Sequence, residues 1–274
     1  MRVHGCIEGA SRLGSHAHAC WAFEQPEEFV DATLEFFDDG MRAGERLAYV
    51  GGEPRAEQRE RLAALGSVGA MIDTGALQLF ELGELYALGE PVDGRAQIAT
   101  YLAATDQALA DGYSGLRVAG EVSTLVAEPH TRDAQVRWES LADRILAEKP
   151  ISALCGYQRE ALPEPFLSDL AAVHPASNLS SRSIPFHLFA ESGALVLSGE
   201  VDFFSAEDLD RVLELACEPG DRIAFDLAAL EFIDRHGLEV LADHARRLGA
   251  AGSCEMRNPP PVVNRLCELL GLRL

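Results

Sequence analysis

Apolar positions along this chain alternate between a helical period and short unbroken runs. Over residues 26–42, Phe29, Val30, Thr33, Leu34, Phe37 and Met41 share one helical stripe with acids opposite. Pro26 suits a first turn and Gly44 follows the last. Residues 46–50 then read as a short buried strand breaking at Gly51-Gly52, and residues 55–65 as a helix. Residues 77–80 predict a second strand, 95–110 a helix, 116–119 a third strand, 130–147 a long helix and 152–155 a fourth strand. Strands alternating with helices of this length predict an α/β fold with a parallel sheet.

The segment PASNLSSRS, 175–183, is small, polar and aperiodic, as a linker is. Beyond it the pattern restarts. Strands are expected at 184–190, 195–198, 222–227 and 253–257, with helices from a Ser205 cap to 217, over 237–248, and in a proline-started segment near the end. The organisation expected is a first domain over 1–175, a linker at 176–183 and a small α/β module over 184–274.

Composition narrows the function. The net charge of -21 argues against nucleic acid or an anionic membrane as direct partner. No apolar run reaches membrane-helix length and the first residues lack a secretory signal's apolar centre, so a cytoplasmic protein is expected. The 6 cysteines are scattered and are expected as thiols. Lys149, the sole lysine, is followed by proline and cannot complete a phosphate-binding loop. With no hydrolase motif either, no enzyme activity is expected.

Ligands of parallel sheets bind beyond the carboxyl ends of the strands. Those ends carry Glu53, Glu81 and Glu121, and no cation. Such a mouth repels phosphate and suits an uncharged or cationic small molecule, or is plain protein surface. Glu121 and Glu139 are the leading candidates for ligand contact, Glu53 the third. The alternatives are that Glu121 holds nearby backbone amides and that Glu139 pairs with Arg117 or Arg137. Trp138 and Tyr157 either floor a pocket or belong to the core. His4, Cys6, His16, His18 and Cys20 are zinc-compatible types at uncommon spacing, so no metal and no cofactor is expected.

Three stretches of the second module, LVLSGEVDFFSAEDLDRVL (195–213), RIAFDLAALEFIDRHGLEVL (222–241) and NPPPVVNRLCELLGL (258–272), together resemble a STAS domain, the fold of anti-sigma factor antagonists. The resemblance implies an anti-sigma factor or kinase-like protein partner. In phospho-regulated members a loop reading Asp-Ser-Ser-Gly or Asp-Ser-Thr-Gly is phosphorylated, and the added charge ends binding. Asp234 and Gly237 match that loop, while Arg235 and His236 occupy both hydroxyl positions. Asp202 and Asp226 are further candidates for the partner surface, Asp226 equally for capping its own loop.

The first module resembles the MEDS domain, a sensory domain of methanogens, methylotrophs and a dichloromethane-responsive regulator. The residues that carry this are His18-x-Cys20, GMRAGERLAYV (40–50), GYSGLRVAGEVS (112–123), Trp138-Glu139, ALCGYQRE (153–160) and His174-Pro175. It implies a RecA-like fold without the phosphate loop and a role in sensing small organic ligands, with His18 and Cys20 lining the pocket. The expected function is a signalling regulator coupling that domain to a STAS module without its phosphorylatable serine. A self-assembling scaffold, or an enzyme using the acidic cleft, are the alternatives.

Overall fold

The computed structural model describes residues 2–63, 68–180, 184–217, 222–251 and 253–272. In the first domain β1 (Gly5–Cys6) and β2 (His18–Phe23) precede α1 (Pro26–Ala43), β3 (Arg46–Gly51), α2 (Arg55–Ala63) and α3 (Val68–Thr74). Then come β4 (Leu77–Glu81), α4 (Leu82–Leu85), α5 (Gly94–Ala110), β5 (Leu116–Glu121) and α6 (Arg132–Leu146). β6 (Ile151–Gln158), α7 (Glu164–Ala172) and β7 (Ala176–Ser177) complete it. The 7 strands form one sheet in the order β1-β7-β2-β6-β5-β3-β4. All neighbours are parallel, as the βα alternation requires.

Each face of this sheet is buried. Leu47, Tyr49, Ala119 and Leu154 face Phe29, Phe36 and Phe37 of α1. Cys20, Ala48, Val118 and Tyr157 face the other way, into a core that also holds Val136 and Leu170. Helix α1 stops as its sequence predicts, with Gly44 left-handed at φ 73 and its amide bonded back to the last turn. The connection from β2 into α1 is the turn Glu24-Gln25, followed by Glu27 and Glu28. Acids therefore stand where a phosphate would need bare amides.

Two differences from the sequence reading matter for the site. The tract around His18 and Cys20 is β2, an inner strand of the sheet; its Ala and Cys residues carry little strand signal on their own. The expected linker begins as structure: Ala176 and Ser177 pair with both β1 and β2. The Asn178 side chain then bonds both the amide and the carbonyl of Ala22. Residues 181–183 of that segment lie outside the described residues.

The second domain runs β8 (Phe186–Glu191), β9 (Ala194–Val201), α8 (Ala206–Ala216), β10 (Arg222–Asp226), β11 (Leu230–Ile233), α9 (Arg235–Ala251), β12 (Ser253–Arg257) and α10 (Pro261–Leu270). Strand β9 is central: it pairs antiparallel with β8 and parallel with β10 and β11. The short β11 was not expected from sequence. Its four residues are buried only at the two ends, Leu230 and Ile233, and so carry no strand period. The two domains share one hydrophobic core, in which Leu167, Leu170 and Val173 join Phe186, Leu188, Leu209 and Leu213.

Candidate functional site

Helix α6 carries Gln135, Glu139 and Asp143 four residues apart, so all three project from one side. A packed helix normally buries apolar residues there, and polar groups so placed need partners. Alternation along β2 and β6 supplies them. His18 and Cys20 stand beside Ala153 and Cys155 in register, and Tyr157 lies two residues further on.

Glu139 Oε1 accepts the Tyr157 hydroxyl at 2.5 Å and Gln135 Nε2 at 2.7 Å. Its Oε2 lies 3.2 Å from His18 Nε2 and 3.6 Å from Cys155 Sγ. Asp143 Oδ1 meets His18 Nδ1 at 3.0 Å and accepts the Arg2 guanidinium at 2.6 Å, while Oδ2 accepts the amide of Ala190 at 2.6 Å. His174 lies against His18 with ring centroids 4.0 Å apart, its Nδ1 2.7 Å from the Leu170 carbonyl. These side chains are buried, Cys155 less fully than the rest.

Burial sets the electrostatics. It opposes a charge on His18, yet hydrogen bonds to Asp143 and Glu139 hold that imidazole above its ordinary pKa. Burial alone would raise Glu139, but the His18 hydrogen bond carries it down to about 2. His174 is lowered to about 4 by burial and by the neighbouring His18. It is therefore neutral near pH 7. Its Nδ1 faces a carbonyl, which only accepts, so Nδ1 carries the proton and Nε2 presents a lone pair. Burial and the charge on Glu139 push the Cys155 thiol well up.

Beside this cluster is a cavity of about 50 Å³, lined by His18, Glu139, Cys155, Tyr101, Trp138 and Ile145 among others. A single water needs roughly 10–15 Å³ on this measure, and a cavity of roughly 150 Å³ accepts benzene. The space suits a few heavy atoms, and its wall is mostly apolar, with His18, Gln135, Glu139 and Cys155 among its polar groups.

The structure thus brings His18, Trp138 and Glu139 together in the cavity wall, whereas Tyr157, which holds Glu139, and Cys20, expected there, do not line it; Cys20 stands beside Cys155 in register. It places Glu53 and Glu121 elsewhere, at the carboxyl edge of the sheet. Glu53 is ion-paired with Arg61 of α2, and Glu121 accepts the amide of Ser123. Arg55 of α2 similarly pairs with Glu84. Of the acids read from the strand ends, Glu53 is thus paired with an arginine of α2, while Glu81 and Glu121 accept the backbone amides of Arg55 and Ser123. Glu139 pairs with neither Arg117 nor Arg137: Arg117 lies on the opposite face with Glu45, and Arg137 bonds the Glu214 carbonyl. The N-terminal zinc-type residues diverge, His4 stacking on Phe189 and His16 bonding the Leu146 carbonyl. Arg2, Gln135, Asp143, Cys155 and His174 were not selected from sequence as site residues, and Cys155 reads there as a small buried hydrophobe. The four-residue spacing of polar side chains on α6 is the signal that finds two of them.

In the second domain Asp202 Oδ1 accepts the amides of Phe204 and Ser205, so Asp202 holds the start of α8 and the Ser205 side chain does not cap it. Asp226 accepts the Ala228 amide and the Asn258 side chain, an internal role. Asp234 accepts the amides of His236 and Gly237 at the start of α9. Burial resists its charge, but these amides and the His236 ring hold its pKa below the ordinary value. Arg235 reaches Glu239, and His236 meets Phe203 edge-on at 4.9 Å. Gly237 is required by packing, since a Cβ there would lie 2.5 Å from Val201 Cγ1. Exposed Phe203, Phe204 and Phe232 surround this loop, Phe204 at 84%.

The family model described as "MEthanogen/methylotroph, DcmR Sensory domain" (MEDS) matches residues 17–175, more than half of the chain. The chain belongs to the MEDS family. A STAS domain follows the MEDS domain, matched over residues 191–273. No curated protein matches at a significant level. Among solved structures, the flagellar accessory protein FlaH from Methanocaldococcus jannaschii aligns over 66% of this chain and 76% of its own, at 14% identity and a TM-score of 0.37. So distant a likeness carries no argument. The order of the two domains makes this a signalling-associated regulator, with a sensory-type MEDS domain joined to a module of protein-interacting type. Among the described residues no helix is long and apolar enough to cross a membrane.

Proposed function

We propose that this MEDS–STAS chain is a ligand-gated, non-enzymatic regulator acting in the cytoplasm. A small organic molecule enters the cavity beside His18, Glu139 and Cys155, and its presence is passed to the STAS domain, which binds an anti-sigma factor or kinase-like partner. The observation that carries this reading is Asp143. One of its oxygens holds His18 in the cavity wall, and the other holds the amide of Ala190 in β8 of the STAS domain. A change in the cavity that moves His18 therefore acts on a carboxylate already bonded to the output module.

The cavity volume favours molecules of roughly two to four heavy atoms, apolar with at most one polar group. On the output side, the exposed phenylalanines around the 232–238 loop form an apolar patch of the kind that partners cover. With Arg235 and His236 at the hydroxyl positions, that loop offers no serine or threonine to a kinase, so control passes to the sensory domain.

Titration of the full chain with short-chain alcohols, amines, thiols and halomethanes, followed by hydrogen exchange, tests the coupling. A binding member of the series is expected to change amide protection both in α6 and at Ala190. Absence of binding by every member, or a change confined to residues 17–175, overturns the reading. Incubation with an anti-sigma kinase and ATP is expected to leave the loop unmodified; phosphate found on residues 232–238 sinks that part of it.

A further inference from the structure

We propose that His18 Nε2, Glu139 Oε2, Cys155 Sγ and His174 Nε2 form a buried tetrahedral site for a divalent transition metal of borderline softness, with Zn²⁺ the foremost candidate. The four side chains can each offer one ligand atom, all within 4.8 Å of one another. Glu139 Oε2 stands 3.2 Å from His18 Nε2, 3.6 Å from Cys155 Sγ and 3.5 Å from His174 Nε2, and Cys155 Sγ stands 3.7 Å from His18 Nε2. Zinc bonds of about 2.0–2.1 Å to nitrogen or oxygen and about 2.3 Å to sulfur give tetrahedral edges of roughly 3.3–3.6 Å. These four edges, 3.2–3.7 Å, lie within about 0.1 Å of the range that coordination would impose.

The polar surroundings have the form that metal ligands take. A ligating histidine almost always donates its other ring N–H to a carboxylate or backbone carbonyl. His18 has Asp143 at Nδ1, and His174 has the Leu170 carbonyl. The oxygen of Glu139 not offered to the metal is held by Tyr157 and Gln135. His174 Nε2 is fully buried and has no hydrogen-bond partner, although a carboxylate oxygen of Glu139 lies 3.5 Å away. Two electron-rich atoms facing each other at 3.5 Å in a dry interior repel unless a cation lies between them.

Charge closes the argument. Arg2 balances Asp143, which leaves one carboxylate and, once its proton departs, one thiolate. A divalent cation neutralises that pair, as a buried site requires. The mixed nitrogen, oxygen and sulfur donors suit Zn²⁺, Co²⁺ or Fe²⁺ and are unlike the all-oxygen shells of Mg²⁺ and Ca²⁺. This inference does not depend on the cavity holding an organic ligand.

Purified full-length protein, stripped with chelator and titrated with Co²⁺, tests the site. The expected result is one equivalent of tight binding, with intense tetrahedral d–d bands and a near-ultraviolet thiolate-to-cobalt charge-transfer band, both displaced by Zn²⁺. Cys155→Ser is close to isosteric and is expected to lose the charge-transfer band with circular dichroism unchanged. Cys20→Ser and Cys6→Ser are expected to keep it. Asp143→Asn, which leaves an acceptor at His18 Nδ1 but removes its negative charge and so makes the imidazole a poorer donor, is expected to weaken Co²⁺ binding by about 10–100-fold. A folded protein that takes up no stoichiometric Co²⁺, or a Cys155→Ser variant that retains the band, overturns the proposal.

Discussion

Asp143 is a buried carboxylate with three partners, and replacing it by asparagine separates their contributions. Oδ1 serves Arg2 and His18, and Oδ2 serves the Ala190 amide. Asparagine keeps one acceptor oxygen and introduces an NH₂. Placing the NH₂ toward Oδ1 sets it against two donors; placing it toward Oδ2 sets it against one. The second arrangement costs less, so Asp143→Asn is expected to keep His18 and Arg2 in contact and to break the bond to β8. The unpaired amide costs about 1–3 kcal/mol, and removing the countercharge of buried Arg2 brings the total to about 3–5 kcal/mol. With a urea m-value of about 3 kcal/mol/M, the midpoint falls by roughly 1 M or more.

Both tryptophans, Trp21 and Trp138, lie in the MEDS domain, so their fluorescence reports its unfolding while circular dichroism reports the whole chain. Measurements in chelator exclude any contribution from metal. Hydrogen exchange at Ala190 is expected to rise in the variant. The comparison is Asp169→Asn, which leaves half-exposed Arg211 on α8 its second carboxylate, Asp208, and keeps one acceptor oxygen, so it is expected to cost less than Asp143→Asn, about 1–2 kcal/mol. A loss below about 1 kcal/mol for Asp143→Asn, or unchanged exchange at Ala190, refutes the assignment of this carboxylate as the junction.

Three further outcomes are expected. Ala142→Leu, on the cavity wall, fills the space and abolishes binding of small organic molecules in calorimetry while circular dichroism stays native. Gly237→Ala drives a methyl into Val201 and Ile233. The overpacking, about 1–3 kcal/mol, outweighs the roughly 1 kcal/mol that alanine gains in a helix, so the melting temperature falls. His244 has its pKa lowered because burial, with Arg247, outweighs the Asp210 hydrogen bond. The unfolded chain therefore takes up a proton that the folded chain refuses, and stability falls as pH drops through about 6.5. His244→Gln is expected to flatten that part of the curve, and an unchanged slope in urea denaturation at stepped pH contradicts it.

Much of the fold was legible because helical stripes such as Phe29 to Phe37 and unbroken runs such as 46–50 each have one reading. The strand β2 was not, because alanine, cysteine and histidine have no strong strand preference and its pairing with β6 is long-range. Glu139 was selectable as an acid beside a tryptophan. Its partners were not, because a one-dimensional pattern does not tell which face of a sheet a distant arginine occupies. Arg117 has the right charge and lies on the wrong side of β5. Arg2 was invisible for a different reason: two of its bonds go to main-chain carbonyls, of His16 and Ala190, which leave no trace in composition.

That last feature bears on how such proteins are assembled. The innermost contacts across the junction, from Asp143 and Arg2, reach the amide and the carbonyl of Ala190, atoms that every residue except proline possesses. At this point the first domain holds the second by its backbone, while Leu167, Leu170 and Val173 still require apolar partners such as Phe186 and Leu188. Exchange of one such module for another by gene fusion then requires a strand arriving at the same place with an apolar face toward the first domain. On this architecture an exchanged module has to match a strand's position and an apolar face rather than particular polar side chains.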